Sequence, residues 1–149
     1  MKDFKYCIWY ILENNHTWYD ITKDFTPHMT IKSKLDYNDV INEFKEIYCE
    51  DKIKIKLIGD IKQDIDDENK FYALIYNIEI YDNIKKPNWW PKNAHISFAY
   101  RYDRKFNKSE IDKIKKKINI KEGILDKIIL KKCSDHYSKW HIINNINSK

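Results

Sequence analysis

Glycine, proline and cysteine are all scarce in this chain of 149 residues, which contains two glycines, three prolines and three cysteines. Cys7, Cys49 and Cys133 are odd in number, widely spaced and without a Cys-x-x-Cys pair. This pattern excludes a disulfide framework and indicates reduced thiols in an intracellular compartment. The few glycines and prolines accompany many Lys, Ile, Asn, Asp and Tyr residues, a bias typical of an AT-rich genome that indicates source rather than function.

Long apolar runs are also absent. The longest run near the N-terminus, 6–12, is too short to span a membrane, and no small-residue cleavage site follows it. The sequence therefore predicts no membrane partner, and we expect a cytoplasmic or nuclear protein.

The residues that are abundant predict one globular domain over 1–149. Aromatic residues make up 15% of the chain and apolar residues 42%, too much for a disordered chain although 34% of residues are charged. The length fits a single compact core. The net charge of +5 favours anionic partners, although so mild an excess is also ordinary for a solvated surface.

The chain divides into two similar halves, about 1–62 and 71–149, joined by the polar stretch 63–70. Each half is predicted to run strand, strand with a histidine, helix, strand, which makes the protein α+β. Asp36 is placed to cap the first helix, and Ser109 with Asp112 resembles a capping box for the second. The predicted strands are 4–12, 27–32, 52–59, 71–81, 95–100, 124–131 and 139–143, the helices are 37–50 and a segment from Ser109, and the loops are 13–24 and 85–93.

Two short phrases repeat at the same place in both halves, "PHMTIKS" and "AHISFAY". Because residues two apart in a strand point to the same side, His28 and Thr30 share one face, and His95 shares one with Ser97. Two such strands facing each other would bring two imidazoles and two hydroxyls to one ligand. That quartet suits cleavage of a phosphodiester, since one imidazole can accept a proton, the other can donate one, and the hydroxyls can bond the phosphate oxygens.

The other histidines carry no comparable signal. His16 lies in the polar loop "NNHTW" and is expected to be a solvated loop residue. His136 and Cys133 have Cys-x-x-His spacing, but no second ligand pair accompanies them, so we expect no metal site and no cofactor. His141 follows Trp140 on a predicted strand and is expected to serve packing or lie at the surface.

At these motifs the sequence resembles the 2H phosphoesterase superfamily, which is defined by two His-x-Thr/Ser motifs, and most closely its cyclic phosphodiesterase (LigT-like) branch. "YCIWYIL" resembles the first strand of that branch, "FTPHMTI" and "HISFAY" its two motifs, and "LDKIILKKC…KWHII" its last hairpin, so the resemblance covers nearly the whole chain. It implies a bilobal α+β fold, with two pseudo-symmetric antiparallel-sheet lobes, helices outside and a central cleft. It also implies metal-independent cleavage of phosphodiesters beside a ribose hydroxyl.

The resemblance implies a role for each motif residue. His28 and His95 would be the acid–base pair, and Thr30 and Ser97 the phosphate-binding hydroxyls. Tyr100 stands where that branch has a tyrosine after the second motif, which implies a phosphate or base contact.

Two further positions compare with the same branch. Trp9 stands where that branch has a tryptophan in its first strand, whereas Ala94 replaces a proline that often precedes the second motif. Near the last hairpin, Lys131 and Lys132 could add positive charge beside the phosphate, or could equally be a solvated edge.

Aromatic side chains are the candidates for holding a nucleobase, because ring faces stack on bases. Trp89 and Trp90 lie in the loop before the second motif and would either lean over a ligand or cap the core. Tyr10, next to Trp9 on the opposite face, is a comparable candidate, since one of the two must face the cleft if their strand borders it.

We therefore expect a monomeric phosphodiesterase that acts on a nucleotide or oligonucleotide and needs no obligate protein partner. The preferred substrates are cyclic di- or oligonucleotide messengers or 2′-5′ oligoadenylate, the targets of small viral enzymes, which would place it in a host cytosol. An alternative is cleavage of 2′,3′-cyclic phosphates on RNA ends or nucleotides. Alternatives of other classes are a non-catalytic RNA- or nucleotide-binding domain, and a structural interaction module that binds no nucleotide.

Overall fold

The computed structural model describes residues 6–23, 25–47, 52–66, 71–81, 86–132 and 141–142. The strands are β1 (Tyr6–Leu12), β2 (His28–Leu35), β3 (Ile53–Asp66), β4 (Phe71–Ile80), β5 (His95–Arg101), β6 (Glu122–Lys132) and β7 (His141–Ile142), and the helices are α1 (Trp18–Thr22), α2 (Tyr37–Ile47) and α3 (Lys108–Lys117). The predicted α+β class and the order of strand, histidine strand, helix and strand in each half are confirmed.

The strands of the described residues form one largely antiparallel sheet in the order β1-β2-β5-β4-β3-β6-β7, and β1 also pairs with β6. The six strands from β1 to β6 therefore close into a ring. Strand β6, from the second half, lies between β1 on one edge and β3 on the other, since Leu125 pairs with both Leu12 and Ile53. Strands of the two halves are thus interleaved, and the expected pair of symmetric lobes is not confirmed.

The core follows from the alternation of side chains in the strands. In β1, Ile8, Tyr10 and Leu12 point into the main core, where they meet Val40 and Phe44 of α2. The alternate residues of β1 contribute to a smaller apolar cluster on the other face of the sheet: Cys7, Trp9, Ile11 and Ile129.

The predicted loop 13–24 contains the short helix α1. Trp18 is fully buried, and its indole N–H donates to the carbonyl of Ile120 at 3.0 Å. The His16 ring accepts from the Trp18 amide and also bonds the Glu122 carbonyl at 2.8 Å. Backbone groups about 100 residues later in the chain thus hold this helix in place. Local sequence patterns do not reveal such distant contacts.

The predicted polar linker is wrong over residues 63–66, because β3 continues to Asp66 and pairs there with β4. The Gln63 side chain clamps the Phe106 backbone from both sides, accepting its amide at 2.7 Å and donating to its carbonyl at 3.3 Å. This long-range clamp uses the polar residue that the sequence pattern assigns to a linker. Residues 67–70 lie outside the described part of the chain.

The helix boundaries were predicted in part. The Asp36 carboxylate accepts from the Asp39 amide at the start of α2, which confirms that cap, and α2 ends at Ile47, with 48–50 outside the described residues. Helix α3 begins with a capping box between Asn107 and Glu110, not with Ser109, because the Asn107 side chain reaches the Glu110 amide. No helix in the described ranges is long and apolar enough to cross a membrane.

Candidate active site

One paired position joins the two motifs. Strands β2 and β5 pair antiparallel at Met29 and Ile96, both fully buried in the core. One residue to either side of this pair, the antiparallel direction sets His28 across from Ser97 and Thr30 across from His95. The four motif side chains therefore alternate with buried core residues and share the other face of the sheet, which we call the histidine face.

Both imidazoles are held by the same backbone contact. Nδ1 of His28 bonds the Thr26 carbonyl at 2.7 Å, and Nδ1 of His95 bonds the Asn93 carbonyl at 2.8 Å, in each case two residues earlier in the chain. A carbonyl oxygen can only accept, so Nδ1 carries the hydrogen in both rings. Nε2 is then the basic nitrogen of each neutral imidazole.

The residues just before the histidines also match. The Pro27 carbonyl accepts from the Leu12 amide at 3.1 Å, and the Ala94 carbonyl accepts from the Ile78 amide at 3.0 Å. Alanine therefore supplies the same backbone acceptor before the second motif that proline supplies before the first.

The surroundings of the two histidines differ. His28 is 4% exposed, and the Trp9 ring stacks on it with 3.3 Å between ring centroids and 8° between planes. Burial, with positive charge on Lys131 and on His95, outweighs the bond to Thr26 and lowers the pKa of His28 from 6.5 to about 3. His95 is half-buried. His28 is thus neutral at pH 7.

Strand pairing decides between the two aromatic residues of β1. Trp9 pairs with Thr30 and so lies on the histidine face. Tyr10 is fully buried on the core face, 6.0 Å from the Trp89 ring, which does not support its expected contact with a ligand. Trp89 and Trp90 are partly buried and pack against the main core, so the structure favours the core-capping alternative for both.

Lys131 and Lys132 point to opposite faces of β6. Lys131 is 7% exposed, and its Nζ lies 5.1 Å above the Trp9 ring, on the histidine face. The Nζ of Lys132 lies 5.8 Å from the Tyr6 ring, which packs against the main core. Only Lys131 is brought to the candidate site.

Tyr100 reaches the histidine face because of a β-bulge. Ser97 pairs with Ile75 and Tyr100 with Ala73, so three steps along β5 match two steps along β4. Ile75 and Ala73 share a face, so Ser97 and Tyr100 also share one. The ring of Phe25, which sequence reasoning missed, lies between Tyr100 and His28, at centroid distances of 4.9 and 6.5 Å. The sequence feature that could have indicated Phe25 is its position three residues before the first motif histidine.

Among the remaining histidines, the structure describes the side chain of His16. His16 is held by backbone groups at both ring nitrogens and is a bracing residue, not the solvated one expected. His141 lies in β7, paired with Lys132. Cys49, Cys133 and His136 lie outside the described residues. Within the described ranges no group of three or more His, Cys, Asp or Glu side chains is placed to hold a metal ion.

No protein-family model matches the chain, and no curated protein matches it. Among solved structures the chain is similar to Usb1 from Kluyveromyces marxianus, with a TM-score of 0.49 and 7% sequence identity, over 92% of this chain and 96% of that chain. At this level of similarity, the geometry of the site and not the comparison carries a functional proposal.

Proposed function

We propose that the protein is a phosphodiesterase of the 2H type that cleaves ribonucleotide phosphodiesters without a metal ion. The pairing of Met29 with Ile96 carries this proposal, because it sets two imidazoles and two hydroxyls on one face around a single point. The shared Nδ1 contacts support it, since they leave Nε2 as the reacting nitrogen in both rings.

We infer the two roles from the difference in burial between the two rings. A general base must be neutral, and the lowered pKa of His28 keeps it neutral at pH 7, so His28 is the base and His95 the acid. A bound phosphodiester places negative charge beside the buried ring and raises its pKa. The substrate thereby strengthens the base that acts on it.

For a 3′-5′ linkage, the 2′-hydroxyl beside the scissile phosphate is the nucleophile. Its oxygen bonds to phosphorus while His28 takes its proton, the bond from phosphorus to the 5′-oxygen breaks, and His95 protonates that oxygen. The products are a 2′,3′-cyclic phosphate and a 5′-hydroxyl. Thr30 and Ser97 bond the non-bridging oxygens as negative charge builds on them.

The proposed substrates are cyclic di- and oligonucleotides and 2′-5′ oligoadenylate, with 2′,3′-cyclic phosphates as the alternative. The test incubates the protein in excess EDTA with these compounds and with linear RNA, and identifies products by mass spectrometry. A 2′-O-methyl group beside the phosphate should block cleavage of a 3′-5′ substrate.

His28→Asn and His95→Asn should each lose roughly 10²- to 10⁴-fold of the turnover, because each removes one proton-transfer step. Asparagine keeps an N–H that can donate to the Thr26 or Asn93 carbonyl, so folding should be preserved, and thermal unfolding checks this. Near-full activity of either variant, or cleavage only with added divalent ions, would contradict the proposal. Nucleotide binding without any turnover would favour a non-catalytic binding domain.

A further inference from the structure

A row of aromatic rings leads away from His28. Phe25 lies against His28 and Tyr100, Tyr100 lies 5.5 Å from Phe71, and Phe71 lies 6.2 Å from Tyr102, measured between ring centroids. Every contact in this series is edge-on. We call Phe25, Tyr100, Phe71 and Tyr102 the aromatic row.

The aromatic row lies on the histidine face. Phe71 and Ala73 are two residues apart in β4 and share the face of Tyr100, which pairs with Ala73. Continuing that register, Tyr102 falls across from Phe71, in agreement with their ring contact. The bulge in β5 produces this arrangement, because plain alternation from Ser97 would point Tyr100 and Tyr102 into the core.

Exposure separates this row from the aromatic residues of the core. All four of its rings are partly exposed, whereas Trp18, Tyr76 and Phe98 are no more than 2% exposed. Ala73, which lies across from Tyr100 on this face, is only 2% exposed, so the surface open to a ligand here is that of the rings themselves. Partly exposed ring surface beside a site for a phosphodiester matches what a flat nucleobase requires.

The charges beside the aromatic row also fit a base. Asp64 pairs with Ala73 and is exposed, so a carboxylate borders the row on its β3 side. A carboxylate accepts hydrogen bonds from the amino groups of a base and repels a second phosphate. Lys62 pairs with Ile75, which in turn pairs with Ser97. Lys62 therefore supplies positive charge on the side of the scissile phosphate.

We propose that the aromatic row binds the nucleobase adjacent to the scissile phosphate, on the Ser97 side of the site. This rests on the proposed function for the position of the phosphate. The base-binding surface is therefore formed by β4, β5 and the segment before β2, and not by Trp89 and Trp90. Substrates that carry a base there bind more tightly than those that lack one.

The test measures binding, so that it does not depend on turnover. The ligand is a dinucleotide with a 2′-O-methyl group beside the phosphate and 2-aminopurine as either base, whose fluorescence falls when it stacks. Phe71→Leu should raise the Kd about 10-fold or more and reduce the quenching. Phe71→Tyr, which keeps the ring, should bind like the wild type. Tyr37→Leu is the matched control, since Tyr37 is 47% exposed at the start of α2 and outside the row.

An analogue without the base should bind Phe71→Leu and wild type equally. The proposal is overturned if Phe71→Leu binds the dinucleotide as the wild type does, if Phe71→Tyr binds as poorly as Phe71→Leu, or if Trp89→Leu and not Phe71→Leu abolishes the quenching. Failure of the proposed function is a separate result, namely no cleavage of any phosphodiester in the panel while base-dependent binding persists.

Discussion

His28 and His95 share a backbone contact but not an environment. Both donate from Nδ1 to a carbonyl two residues earlier, yet only His28 lies under the Trp9 ring and close to a buried lysine. Removing a charged group from water is costly, so the buried ring stays neutral. Two motifs that are nearly identical as sequence are therefore suited to different steps of one reaction.

Lys131→Met should move the acid limb of the pH profile of kcat/KM to higher pH. The Lys131 charge lowers the pKa of His28, so removing it raises that pKa and protonates the base at a higher pH than in the wild type. Methionine preserves most of the length and apolar surface of the side chain. Lys132→Met is the control, because Lys132 lies on the opposite face over Tyr6 and should leave the limb in place. Equal shifts in both variants would show that the effect is general surface charge.

Strand β6 connects the two motif-bearing parts of the sheet. It pairs with β1 along one edge and with β3 and β7 along the other. Gly123 lies where this strand passes under α1, and a Cβ there would come within 2.8 Å of Leu12 Cδ1, 3.1 Å of His16 Nε2 and 3.2 Å of Trp18 Cζ3. His16 and Trp18 are both tied by hydrogen bonds to backbone groups near Gly123 in the chain, so they cannot move away freely.

Gly123→Ala should lower the free energy of unfolding by about 1 to 3 kcal/mol, the usual cost of overpacking a filled site. Urea-induced unfolding measures this change. Gly59→Asn is the comparison, since Gly59 has a φ of 69° with no atom within 4 Å of its added Cβ, and asparagine tolerates that conformation. It should cost less than about 1 kcal/mol. A Gly123→Ala protein as stable as the wild type would mean that α1 shifts without penalty.

At the scale of the whole molecule, the closed ring of strands couples the candidate site to stability. Within the described residues, β2 and β5 pair at one position. The pairing of β1 with β6, and of β3 with β4, extends over much longer stretches. The two histidines lie at the short contact, and the long ladders hold it closed. A change in the protonation of the buried His28 should therefore change the free energy of unfolding of the whole protein.

Acid should destabilise the protein through His28. Its pKa is about 3 in the folded state and near 6.5 when unfolded, so the unfolded chain takes up the proton first as the pH falls. The contribution is complete above about pH 6.5 and is lost between about 6.5 and 3, on the order of 5 kcal/mol in total. His28→Asn cannot titrate and should show a smaller loss over this window, measured by urea unfolding at a series of pH values. An unchanged slope in His28→Asn would refute the linkage.

Local patterns in the sequence predicted the order of the elements and the shared face within each motif. Both depend on the period of two in a strand, which needs no knowledge of the rest of the fold. The extent of β3 and the start of α3 were not predicted, because the clamp of Gln63 on Phe106 and the reach of Asn107 to Glu110 depend on how the chain packs around them.

The sequence by itself determined that His28 with Thr30, and His95 with Ser97, alternate with core residues, because side chains in a strand alternate between its two faces. Only the tertiary structure decided that Trp9 and not Tyr10 lies on the histidine face, since either side of a strand can become the buried side. It also decided that Tyr100 lies on the histidine face, because a β-bulge in β5 interrupts the regular alternation of side chains after Ser97. The tertiary structure also decided that the His28 imidazole stays neutral, because its burial and the nearby positive charge come from residues distant in the chain.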